Sequence, residues 1–221
     1  QLIDQDKLSK GDKLLQVLAQ RAGTSKEYKL LQQRLIFATM SAKFALGQLQ
    51  QLVDLSINID ESNPFYFCCS LLMRWHLTKK RSDKIILGKE LAALGYPLLV
   101  AHCAETLDQS ITLSRLPKAV KDDINNKPQA VVSSFVLMLT IPEESFQLTY
   151  LEQYKVLFKA LQTGDLSEDL LLQFCQTLCS SQLQRDTSFE KCLFSASGQL
   201  LEGDAKVEVQ GLIYRSLLYH M

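Results

Sequence analysis

Cysteine and histidine are the side chains here best suited to nucleophilic or metal chemistry, and the sequence holds six of the first and three of the second. A thiol nucleophile needs a base beside it and a lowered pKa. His102 and Cys103 are chain neighbours, but adjacent side chains on a helix diverge, so a base for Cys103 has to come from elsewhere in the fold. Cys175 and Cys179 stand one helical turn apart and could form half of a metal site, yet no second pair repeats that spacing. Cys68 and Cys69 are consecutive and point in different directions on a helix. Free cysteine behaves as a small hydrophobe, so packing is the favoured role for these residues and for Cys192. His76, His102 and His220 are too scattered for HExxH or zinc-finger spacing. His102 and Glu105 share a helix face, but the inward Glu-x-x-His of a di-iron bundle runs the other way and occurs twice. No metal and no cofactor are expected.

Other catalytic signatures are missing or isolated. Ser188 and Lys191 fit an S-x-x-K string without the partner motifs that would give it meaning. The nine glycines are scattered singly, so neither a Walker A loop nor GxGxxG can cradle a phosphate, and no serine sits in a nucleophile elbow. The expectation is a protein that is not an enzyme.

Two groups of residues could instead carry contacts. Arg74, Lys79, Lys80, Arg81, Lys84 and Lys89 gather where one helix ends and the next begins, opposed by Asp83 and Glu90. Basic residues at a helix C-terminus complement its dipole, and that reading is favoured; an acidic protein is the next choice of contact, ahead of nucleic acid. Phe65, Tyr66 and Phe67 are consecutive, with Trp75 further along. Three successive aromatics cannot all face one core, so one of them points to a different neighbour, either another helix of the domain or a partner protein.

The elements that would position these side chains read as helices. Apolar residues recur at Tyr28, Leu31, Leu35, Ala38, Ala42, Ala45, Leu49 and Leu52, predicting one long helix over 28–56, with Leu30, Phe37 and Phe44 on a second face. That helix is expected to be central, packed on more than one side. Asn63 before Pro64 marks a capped start; Ser82 with Asp83 marks the next, closed by Gly95. A short helix follows over 97–107 and a weaker one over 116–124, between Pro117 and the turn at Asn125, Asn126 and Pro128. Residues 131–140 fit a buried helix better than a strand, because no partner strand is in sight. Further stripes run from Phe146 to Leu161, closed by Gly164, and from Ser167 through Leu171, Phe174 and Leu178. Phe189, Cys192, Leu193 and Ala196 suggest a short helix closed by Gly198. The tail, with Asp204, Val207, Tyr214 and Leu217, favours a terminal helix over a hairpin.

The 24 basic and 24 acidic residues cancel, so no global field draws the chain to nucleic acid or an anionic membrane. No apolar run reaches the roughly 20 residues that a membrane span needs. The start at Gln1 shows no intact signal peptide, and cysteines inside apolar patterns point to a reducing, cytoplasmic setting. With no sequence repeat, the expected fold is all-α, an irregular multi-helix bundle of about eight to ten helices. It forms a single domain over 1–221, with a candidate subdomain boundary near 110–128. The leading functional expectation is an adaptor or complex subunit holding a partner protein in an apolar groove between helices. Contact residues would come from Arg74, Lys79, Lys80, Arg81, Lys84, Phe65, Tyr66 and Trp75. Two alternatives follow: an anion-binding module using the basic cluster at 74–89 on acidic protein, phospholipid or nucleic acid, and a thiol- or histidine-dependent enzyme.

Overall fold

The computed structural model describes residues 8–22, 25–108, 111–141, 151–163, 165–180, 198 and 203–219. Among them are eleven α-helices, one 3-10 turn and no strand, so the chain is an all-α multi-helix bundle. The helices are α1 (Leu8–Ala22), α2 (Lys26–Ala45), α3 (Leu49–Ser56), α4 (Pro64–Leu77), α5 (Arg81–Ala93) and α6 (Pro97–Leu107). After the 3-10 turn Leu113–Arg115 come α7 (Lys118–Asn126), α8 (Pro128–Thr140), α9 (Leu151–Gln162), α10 (Glu168–Ser180) and α11 (Gly203–Tyr219).

Local chemistry sets most of the boundaries. The Asn63 side chain accepts a hydrogen bond from the Tyr66 N–H at 3.2 Å, with Pro64 in the first turn, where its missing N–H leaves no gap. Ser167 caps α10 in the same way by accepting from the Leu170 N–H at 3.3 Å. Gly95 ends α5 with φ +74°, a left-handed conformation that side chains resist. The Ser82 start is corrected: α5 begins at Arg81, and the Ser82 hydroxyl bonds the Asp83 carboxylate instead of capping the backbone.

The long helix expected over 28–56 is broken. Gly47 takes φ +67°, its N–H bonds the Phe44 carbonyl, and the Gln48 N–H bonds that of Lys43. This is a Schellman stop, after which the same apolar stripe resumes in α3. Periodicity crosses the break because it registers only which residues are apolar. Nor is this segment central: α2 lies against α1, α3 and α4 toward one end of the molecule, and buries only Leu35 and Met40 fully.

The interior belongs to α4, α6 and α8. Residues 97–104 of α6 are buried without interruption, as are eight residues of α4 and six of α8. Helices apolar on every side belong inside a bundle. Among the described residues, every extensive helix contact except α6 with α9 joins helices adjacent or next-but-one in chain order, so α2, α4, α6, α8 and α10 stack in a row. Burying the start of α6 leaves backbone N–H groups to satisfy; Ser134 of α8 accepts from the Leu98 N–H at 3.4 Å. Phe135 and Phe174 meet at 5.5 Å between ring centres and lock α8 to α10. Residues 131–140 are thus helical and buried at six positions, with Thr140 exposed, and the tail is the helix α11. The weaker helix of the middle segment packs on α5, α6 and α8. The start of the stripe at Phe146 and the short helix around Phe189 lie outside the described residues.

Candidate functional site

Of the residues singled out for chemistry, Ser188 and Lys191 lie outside the described residues, while Cys68, Cys69, Cys103, Cys175 and His102 have definite environments. Cys103 is fully buried on α6, and burial raises its thiol pKa well above the ordinary value, with Cys68 and Cys69 bonding to it as further causes. The partners of Cys103 from elsewhere in the fold are therefore two other thiols. Cys68 and Cys69 do not diverge to different surroundings, because α4 is buried around most of its circumference there. A protonated thiol sealed from solvent is the opposite of what a nucleophile needs. His102 is 8% exposed, and burial lowers its pKa from 6.5 to about 4. It is neutral at physiological pH. Cys175 is free and buried in α10; the side chain of Cys179 and residues Cys192 and His220 lie outside the described set. No metal-binding group of three or more His, Cys, Asp or Glu residues occurs among the described residues.

The aromatic triplet resolves inward. Phe65 and Tyr66 are 2% and 3% exposed; Phe37 of α2 stacks on Tyr66 at 4.7 Å and meets Phe65 at 6.0 Å. The different neighbour that one of the three required is α2 itself. Both residues thereby leave the set of candidate contacts, while Phe67 is half-buried against the same core.

The basic cluster divides. Arg74 is half-buried near the end of α4, and Lys79 and Lys80 are exposed on the link to α5, where Lys80 pairs with Asp83 at 3.7 Å. Arg81, Lys84 and Lys89 instead line a cleft of about 550 Å³ with Trp75, Ile85 and Gly88, faced by Leu116, Pro117, Lys118, Ala119 and Asp122. Its construction is local on each side. Thr78 ends α4 just beyond Trp75 by donating its hydroxyl to the Arg74 carbonyl at 2.7 Å. On the opposite wall the 3-10 turn leads into Pro117, and Lys121 ties α7 back to the Ser114 carbonyl at 3.0 Å. The walls meet at Gly88, where a Cβ would stand 3.1 Å from the Pro117 ring, so glycine permits the close approach. The Lys84 ammonium lies 4.4 Å from the centre of the Trp75 ring, a cation–π contact. Leu116 and Pro117 are buried beneath the opening, whereas Ile85 is 51% exposed at its lip.

Sequence reading missed this second wall. Leu116, Pro117, Lys118 and Asp122 lie more than 25 residues beyond α5's first turn in the chain, and only the packing of α7 on α5 brings them over. Neither His102 nor Cys103 lines the cleft. No described helix is long and apolar enough to cross a membrane.

The fold and site define an all-α bundle carrying an apolar, basic-rimmed cleft between helices. No protein-family model matches the chain, and no curated protein or solved structure is significantly similar to it.

Proposed function

We propose that the chain is a non-enzymatic interaction module, an adaptor or subunit of a multiprotein assembly, which holds a partner protein in the cleft between α5 and residues 116–122. The observation that carries this reading is the cleft itself. It joins an apolar floor to a half-exposed isoleucine and an indole at one opening. Its volume suits a few side chains, and one leucine or phenylalanine entering it contributes about 1.5–3 kcal/mol through burial. The environment of Cys103 supports a binding role over a thiol reaction. A cytoplasmic setting belongs to the same reading, supported by the four free, buried cysteines Cys68, Cys69, Cys103 and Cys175.

The test places a photo-crosslinking amino acid at Ile85, and separately at Val207, an exposed apolar position on α11. Irradiation in native cell extract at low and high salt is followed by identification of adducts. A discrete protein attached through Ile85 and absent at Val207 is expected. Adducts at Val207 alone, or none at either position, would overturn the assignment.

A further inference from the structure

We infer that the cleft selects an acidic partner segment, a peptide stretch with one large apolar anchor flanked by carboxylates, and that Lys84 reads its charge. This rests on the cleft being a partner site and names the chemistry of the partner.

Charge complementarity carries the inference. Four cations rim the cleft, Arg81, Lys84 and Lys89 from α5 and Lys118 from α7, against one carboxylate, Asp122. None of the four side chains makes an ion pair or hydrogen bond among the described residues. Lys80 and Lys127 nearby are paired with aspartates, and Lys121 with a carbonyl. The rim therefore presents unneutralised positive charge around an apolar floor, in a chain whose overall charge is zero.

The spread of that charge says what kind of anion fits. From Arg81 to Lys89 the helix rises about 12 Å, at about 1.5 Å per residue. A single phosphate cannot touch both ends, whereas a peptide bearing several carboxylates can. The floor of Leu116, Pro117 and Ala119, with Trp75 at the opening, takes the anchor between them. Nucleic acid is disfavoured because the chain as a whole carries no net positive charge to hold an extended phosphate backbone beyond this rim. A carboxylate arriving at the rim draws Lys84 from the ring toward itself. The chain has a single tryptophan, so its fluorescence reports changes at this cleft, from the arriving anchor and from the displaced ammonium alike.

The experiment selects binders from a random-peptide display library on the full chain, then titrates the recovered peptides by Trp75 emission against wild type, Lys84→Gln and Lys84→Glu. The replaced side chain is half-buried against Trp75, so circular dichroism first establishes that each variant is folded. Recovered sequences are expected to be rich in Asp and Glu around one large apolar residue and to shift the emission. Binding should weaken about tenfold in Lys84→Glu, less in Lys84→Gln, and fall further with salt. Neutral or basic winners, no winners, or acidic winners indifferent to Lys84→Glu would overturn the inference. So would a single-stranded oligonucleotide that binds more tightly with the same emission change. If Ile85 still crosslinks a protein while the winners are not acidic, the partner site stands and only its selectivity for acid falls.

Discussion

Acidification should destabilise this protein through His102 before its carboxylates titrate in bulk. The imidazole is buried on α6, and loss of hydration lowers its pKa from 6.5 to about 4. In the unfolded chain it takes up a proton near the ordinary value, so between these two pKa values the unfolded state binds more protons than the folded one. Stability contributed by the neutral imidazole is fully present above the unfolded pKa and is lost as pH falls toward the folded one. Integrating the proton difference gives a loss of about 2 kcal/mol between about pH 7 and about pH 5, and about 3 kcal/mol once both states are protonated. In a chain of this size 2 kcal/mol corresponds to a melting shift of roughly 5 °C. The assay is denaturant unfolding followed by circular dichroism across that pH range, for wild type and for His102→Gln. The substitution has its own cost at neutral pH, so the quantity that matters is the difference between the two pH slopes. Wild type should fall more steeply by about 2 kcal/mol. Parallel slopes would refute the argument, because they would mean that the folded imidazole accepts its proton as readily as the unfolded one.

Two further outcomes probe the sealed thiols and the break after α2. Iodoacetamide at neutral pH should leave Cys68, Cys69, Cys103 and Cys175 unlabelled in the native protein and modify them in denaturant, read by peptide mass spectrometry; native labelling of Cys103 at the rate of a free thiol would restore thiol chemistry as a reading. Gly47→Ala should cost about 1 kcal/mol in chemical denaturation, with Gly47→Asn costing less, because φ there is positive and no neighbour lies within 4 Å of the added Cβ. A continuous helix through this position would give the opposite sign, a gain of about 1 kcal/mol for alanine.

The sequence by itself determined the helical class and many of the ends. Asn63 with Pro64, Gly95 before Pro97, and Ser167 before two acidic residues work through hydrogen bonds and dihedral angles spanning a few residues, so their meaning does not wait for the rest of the chain. Gly47 was legible in principle by the same logic as Gly95, but the apolar stripe continues through it and conceals the stop. What only the tertiary structure decided is which faces meet. Burial on nearly every side of α4 turns Cys68 and Cys69 together toward Cys103 and takes Phe65 and Tyr66 out of reach of a partner. The basic cluster read as a unit in sequence is split by the same packing. Lys84 and Lys89 face Lys118 across a floor supplied by Leu116, Pro117 and Ala119, while Lys79 and Lys80 remain on the outer turn. Caps are local in the chain, whereas a cleft is made by two segments whose contact depends on how every intervening helix packs.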